Sequence, residues 1–349
     1  MPIVSVPSAQ NRVCNCHYSG QHVVMTDLLD VDRNLAMEAV RVTETAAIAA
    51  VRLMGGGDER AADQAAVEAV HSALNNMIMD GTVRIGEGLK GEADKLYTGE
   101  RVGNGDGPKV DVALVPLEGK SIVARGGPNA LSVIAMAEQG GFLEVPDIYM
   151  DKLAVGPGLP EGVVDLDNSP EKNLSQLAEA KNCQVKDLVV CLLDRPRHSQ
   201  LIANIRETGA RIRIILDGDV SGIIQSAEMD GGVDMYCGSG GASQGVLAAA
   251  ALRGLGGQMQ GRLILRNPEE AALVKGMGIE DPDRKYETAD MAFGHITFAA
   301  TGVTYGAMLE GVRTSPTGAI THSLVTRSQT GTLRYIKGHH DFARRSKSG

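Results

Sequence analysis

Three clusters of polar side chains close apolar runs in this chain. The stretch "VDVALVPLEGK" (110–120) reads as a buried strand that stops at a turn and leaves Glu118, Gly119 and Lys120 at its carboxyl end. "DLVVCLLDRPRH" runs out into Asp194, Arg195, Pro196, Arg197 and His198, and "RIRIILDGD" into Asp217, Gly218 and Asp219. Open α/β sheets place ligands outside the carboxyl ends of their strands. Arg195 and Arg197 carry forked donors suited to phosphate. Asp217 and Asp219 can accept from sugar hydroxyls or hold a cation. Asp63 in "AADQAA" and Glu87 in "IGEG" are two further carboxylates, and glycines beside Glu87, Glu118 and Gly240 allow close approach of a ligand to the backbone. Each cluster also has a plain reading. Asp-Gly-Asp after a strand is a common turn, and Arg-Pro-Arg serves equally as a solvated loop. The residues by themselves describe an anion-binding α/β protein of unspecified chemistry.

The elements that must position these groups are legible in outline. From Asn34 to Met54, Leu35, Ala39, Val42, Ala46 and Val51 recur at helical spacing. "GGGD" breaks that helix, and Asp58 is placed to cap a second one running to about Met79. Strands are expected at 81–86 and 110–115, a helix over "NALSVIAMAEQ" (129–139), and a helix opening at Ser169-Pro170. The order strand, helix, strand over 188–219 implies parallel pairing through a helical crossover. "GSGGASQGVLAAAALRGLGG" reads as a glycine turn leading into a helix, and "HITFAATGV" and "TLRYIKGHHDF" as late strands. Two α/β halves follow, 30–160 and 161–342, between an extension (1–29) that is disordered or starts too far upstream and a tail (343–349). Cys14, Cys16, His17 and His22 in that extension match no common structural zinc spacing.

With 349 residues the chain can bury a large core, and its 43% hydrophobic and 22% charged content is that of a globular protein. A net charge of −9 argues against nucleic acid as a partner. No apolar run reaches the roughly 18–20 residues of a membrane helix. Five cysteines form no disulfide framework, and Cys191 inside "LVVCLL" reads as a buried thiol, so a reducing cytoplasm is expected. "GLGGQMQG" and "GSGGASQG" match neither a dinucleotide fingerprint nor a phosphate loop.

Eight stretches in order, "RVTETAAIAA", "GGGDERAADQAAVEA", "DGTVRIGEG", "ARGGPNALSVIAMAE", "PDIYMDKLAVGPGLPEG", "DRPRH", "DGDVSG" and "AATGV", resemble the class II fructose-1,6-bisphosphatases, from about Asp30 to Phe342. Some members of that family also hydrolyse sedoheptulose-1,7-bisphosphate. The resemblance implies an α/β protein with the layered α/β/α/β/α sugar-phosphatase fold shared with inositol monophosphatases. It also implies a divalent metal, Mn²⁺ or Mg²⁺, a sugar-phosphate ligand and a homo-oligomer, dimer or tetramer. It places metal ligands at Asp63, Glu87 and Glu118, with Glu87 also orienting or activating water. Sugar phosphate would be held by Glu118-Gly119-Lys120, Tyr149, Arg195-Pro196-Arg197, Asp217-Gly218-Asp219 and the turn at Gly240-Gly241.

The chain departs from the family pattern where metal and water are handled. Val115 stands where the family has the aspartate of "DPLEG", and Gln244 where it has the glutamate of "GAPEG". Leu89 replaces an acid, and Gly91 replaces the aspartate thought to activate the attacking water. Lys120 replaces the threonine of "EGT", and Tyr305 an aspartate. Losing two ligands and a base costs several kcal/mol of transition-state stabilisation, at about 1.4 kcal/mol per decade of rate. Lys90 and Lys120 accompany these losses, and Lys120 is placed to stand in for the lost cation. Two readings follow: a sugar-bisphosphate phosphatase of weak activity, or an inactive paralogue that binds sugar phosphate or regulates an active relative in a hetero-oligomer. A purely structural subunit would leave Tyr149, Arg197 and Asp219 without a purpose.

Overall fold

A computed structural model describes residues 25–228 and 231–345. The cysteine- and histidine-bearing stretch 14–22 lies outside the described residues, as do 346–349. Helix α1 (Met25–Val51) is described from five residues ahead of the expected start at Asp30. Helix α2 (Glu59–Asn75) begins where Asp58 accepts a hydrogen bond from the Ala61 amide at 2.9 Å, the cap read from the sequence.

One sheet has eight strands: β1 (Asp80–Ile85), β2 (Arg101–Val102), β3 (Lys109–Glu118), β4 (Leu131–Glu138), β11 (Ile296–Gly302), β12 (Arg313–Ser315), β13 (Gly318–Arg327) and β14 (Thr332–Asp341). The other has six: β5 (Tyr149–Val155), β6 (Val189–Leu193), β7 (Arg211–Ile215), β8 (Met235–Gly241), β9 (Gln258–Ile264) and β10 (Tyr286–Glu287). The order is β12-β13-β11-β4-β3-β1-β2 in the first, with β14 beside β13, and β10-β9-β5-β8-β6-β7 in the second. The parallel pairing expected over 188–219 holds for β6–β7; β6–β8 and β1–β3 are parallel too, while the other pairs are antiparallel, so both sheets are mixed. The sheets also exchange strands across residue 160. β5 precedes that boundary but belongs to the second sheet, and β11–β14 return to the first.

Helices complete five layers. α1 and α2 cover the outer face of the first sheet, and α4 (Pro170–Ala180) and α5 (Ser199–Glu207) that of the second. Between them lie α6 (Asp219–Ala227) and α7 (Ala242–Leu255), each in the sequence order that follows α3 (Lys120–Arg125), α4 and α5. α7 is apolar all round because it touches both sheets, and its alanine run stays buried on every side.

The stretch 129–139 is a strand, not the expected helix. Leu131–Glu138 forms β4, antiparallel between β3 and β11. It is buried on both faces, so its apolar pattern has neither a 2.0 nor a 3.6 period to read. Two hydrogen-bonding neighbours then decide in favour of the strand, which "SVI" accepts readily.

Candidate functional site

The second sheet gathers the expected anion-binding groups at one edge. The carboxyl ends of β6, β7 and β8 lead into Arg195–Arg197, Asp217–Asp219 and Gly240–Gly241. Antiparallel register brings Tyr149 at the start of β5 opposite both Gly241 and Ile264. This is the ligand position expected of an open sheet. Arg197 donates from Nε and Nη2 to the Ser239 carbonyl at 3.2 and 2.7 Å and from Nε to Ser239 Oγ at 3.0 Å. Its guanidinium lies 4.8 Å from the centroid of the Tyr149 ring. Its hydrogen-bonding partners among the described residues are neutral. Pro196 opens the short 3-10 turn that carries Arg197. His198, buried under that turn, accepts from the Ser239 amide at Nε2 (2.9 Å) and donates from Nδ1 to the Leu193 carbonyl (2.8 Å), tying β6 to β8.

Arg195 turns elsewhere. Its Nη1 donates to the carbonyls of Asp194 and Leu216 at 2.9 and 2.6 Å, and its Nη2 is 3.5 Å from Asp217. Asp219 is buried at 6% exposure and pairs with Lys152, whose side chain is itself fully buried. Lys152 Nζ also donates to the Gly241 carbonyl at 2.8 Å. The pair explains the glycine turn, because a Cβ on Gly240 would lie 2.3 Å from Asp219 Oδ2. Asp219 therefore braces the turn through Lys152 rather than presenting a free carboxylate.

The expected metal ligands fall into two groups. Asp63 on α2, Glu87 in the loop after β1 and Lys120 at the first turn of α3 come together. Lys120 Nζ donates to Asp63 Oδ2 at 3.1 Å. Burial opposes the Lys120 charge, but Asp63 and then Glu87 outweigh it and raise its pKa. Glu87 is pushed up to about 7, by burial first and then by Asp63, with Lys120 opposing. Glu118 faces away from these two. A register shift in β3 between Val115 and Glu118, at Pro116, re-aims its side chain toward the second sheet. There Glu118 accepts the amides of Val220 and Ser221 at 2.9 and 3.3 Å and closes the first turn of α6. Burial first, then Asp219, push its pKa up to about 8 despite these bonds. Next to it, Ser121 Oγ donates to Asp217 Oδ2 at 3.2 Å, so α3 is tied to the turn that follows β7.

Gly119 caps α3 and Gly218 caps α6, both in the left-handed region. Val115 packs against the apolar middle layer, and the Gln244 side chain folds back over Gly241. Leu89 is exposed, and so is Gly91, at φ 99°. Lys90 Nζ lies 5.9 Å from the centroid of the Tyr97 ring. Tyr305, 73% exposed, lines a separate cavity of about 670 Å³ with Met54, Pro128 and Arg313 that contains none of these site residues.

Three contributors went unread in the sequence: Lys152, Ser121 and Ser239. Lys152 had a signal, a lysine inside the apolar strand "YMDKLAV", which burial obliges to find an acid.

A divalent ion needs several hard oxygen donors converging on one point. Among the described residues no three His, Cys, Asp or Glu side chains do so. Asp63 is engaged by an ammonium, Glu118 by a helix terminus, and Val115 offers no donor. The residues present do not fit the metal centre that the resemblance implies.

Glu87 and Glu118 both bind protons more tightly folded than at their ordinary value of 4.5. Their contribution to stability is complete below that value and is lost as pH rises through about 7 and about 8. In chelator, the thermal midpoint is therefore expected to fall as pH rises from 5 to 8.5, and Glu118→Gln to flatten much of that slope. A midpoint that climbs over this range would contradict the burial of these acids.

A family model described as "Bacterial fructose-1,6-bisphosphatase, glpX-encoded" matches residues 33–340. The chain is 43% identical over 336 residues, 89% of its length and 96% of the relative's, to the D-fructose 1,6-bisphosphatase class 2/sedoheptulose 1,7-bisphosphatase of Synechococcus sp. (strain JA-3-3Ab). It is 41% identical over 337 residues, 89% and 97% of the two chains, to the protein of that name in Trichodesmium erythraeum (strain IMS101). Such a family implies dependence on a divalent metal, which the donor set above does not meet.

Proposed function

We propose, on the premise that the chain belongs to the bacterial, glpX-type fructose-1,6-bisphosphatase family, that it binds fructose 1,6-bisphosphate or sedoheptulose 1,7-bisphosphate and hydrolyses it far more slowly than a fully equipped member. The substrate classes are those named for its relatives. Arg197 and Tyr149 receive one phosphate, and the edge formed by Asp217, Ser121 and Gly241 faces the sugar. The observation that carries the reading is the Lys120–Asp63 pair at 3.1 Å. An ammonium held among these acids takes the place of a cation, and its charge is met by Asp63 and Glu87. It cannot deliver a hydroxide at neutral pH, because it lowers no bound water's pKa.

Metal-independent recognition is the direct test. Titration calorimetry with fructose 1,6-bisphosphate in EDTA should show binding, and Arg197→Gln should weaken it about 10- to 100-fold, the range for a hydrogen bond to a charged group. Binding that appears only once Mn²⁺ or Mg²⁺ is added would sink the reading.

A further inference from the structure

The cavity of about 670 Å³ beside Tyr305 falls within the roughly 300–1,000 Å³ of small-molecule sites. Met54, Pro128 and Val312 give it apolar walls, and Tyr305, Glu310 and Arg313 supply its polar groups. The loop that displays Tyr305 is braced. Asn129, at φ 75°, donates its amide to the Tyr305 carbonyl at 2.8 Å and accepts the Ala307 amide on Oδ1 at 3.0 Å. Asparagine is among the few residues that take this left-handed conformation at low cost. Gly311 is required where the loop returns, because a Cβ there would lie 2.4 Å from the Tyr305 nitrogen. The opposite wall is fixed as well. The amides of Gly55 and Gly57 donate to the carbonyls of Val123 and Ala124, each at 2.9 Å, which holds the turn after Met54 against the end of α3. Charge beside the cavity is in positive excess. Arg313 Nη2 lies 3.2 Å and Lys337 Nζ 3.6 Å from Glu310 Oε2, so two cations share one carboxylate. Tyr305 adds an aromatic ring where the resembled family has an aspartate.

We propose that this cavity is a second ligand site, for a small organic acid with a flat apolar body. The Tyr305 ring takes the flat face of the ligand, and Arg313 takes its anionic group. A neutral ring compound fills the same walls without meeting the excess positive charge. A sugar bisphosphate is excluded, because its phosphates and hydroxyls would be desolvated against methionine and valine. The braced loop presents the ring before a ligand arrives, which reduces the ordering cost of binding. The site shares no residue with the sugar-phosphate edge, and the inference stands independently of the sugar-bisphosphate reading.

The test is a fluorescence titration of wild type, Tyr305→Asp and Arg313→Gln with anilinonaphthalene sulfonate, an aromatic monoanion, and with phenylnaphthylamine, the same ring system without the sulfonate. Both positions are exposed, so both variants should keep the wild-type thermal midpoint, which serves as the folding control. Wild type is expected to bind one equivalent of the sulfonate, and more tightly than the neutral amine. Arg313→Gln should weaken the sulfonate about 10- to 100-fold and leave the amine unchanged. Tyr305→Asp should weaken both probes, the sulfonate by about tenfold or more. Saturating fructose 1,6-bisphosphate should leave the sulfonate in place. No binding by wild type, or binding that neither variant alters, would overturn the inference. Equal affinity for the two probes in wild type would overturn the preference for an acid. Displacement by fructose 1,6-bisphosphate would assign the probe to the sugar-phosphate edge instead. A Tyr305→Asp protein whose sedimentation shows a lost subunit contact would give the cavity to a second copy of the chain, and that too would overturn the inference.

Discussion

A variant carrying Val115→Asp, Gln244→Glu and Lys120→Thr should release phosphate from fructose 1,6-bisphosphate about 10²- to 10⁴-fold faster than wild type in saturating Mn²⁺. The gain is the several kcal/mol of charge stabilisation that a bound metal supplies, at about 1.4 kcal/mol per decade. Each change answers one obstacle. Removing the ammonium frees Asp63, the acid at 115 enters the middle layer beside α7, and the acid at 244 replaces an amide lying over Gly241. Gly91→Asp is left out on purpose. Its φ of 99° is a region that L side chains rarely adopt, and the strain there is about 1–3 kcal/mol. The variant also carries a signature independent of turnover. A carboxylate at 115 without a metal is a half-buried, unpaired acid, so the thermal midpoint should drop in EDTA and recover with Mn²⁺. Wild type should show no such rise. Equal turnover in the two proteins would mean that the rate is limited elsewhere.

Breaking the Lys152–Asp219 pair should have the largest effect on stability of any single change at the site. Lys152→Met leaves Asp219 as a buried carboxylate with no counter-charge, a loss of about 3–5 kcal/mol. It also removes the bond to the Gly241 carbonyl, so sugar-phosphate affinity should fall with stability. Pairing Lys152→Met with Asp219→Asn removes both charges and should recover most of the stability. Urea denaturation of the two variants separates these outcomes. A Lys152→Met protein as stable as wild type would show that Asp219 is not buried as described.

The positions where sequence reading succeeded and failed have physical causes. Asp58 and Ser169 were legible as helix caps because a short polar side chain before an apolar periodic run has a local use, and both accept the expected amide. Arg197, Asp217 and Gly241 meet because parallel strands deliver their carboxyl ends to one edge, a rule of topology that needs no coordinates. Strand β4 was unreadable because full burial on both faces erases its period. Glu118 is the more instructive case. Its type and place in the sequence suit a metal ligand, but the register shift at Pro116 turns it onto the α6 amides. Arg266 comes within 4.6 Å of the centroid of the Tyr149 ring through the antiparallel return of β9 beside β5, a long-range pairing that leaves no trace in the residues around it.

Mn²⁺ binding followed by electron paramagnetic resonance tests most directly whether Lys120 occupies the place of a cation. One equivalent of Mn²⁺ added to wild type should leave the free-ion signal undiminished, while the Val115→Asp, Gln244→Glu, Lys120→Thr variant should deplete it. Loss of one equivalent of free Mn²⁺ to wild-type protein would contradict the account, because the Lys120–Asp63 pair would then have yielded to the metal.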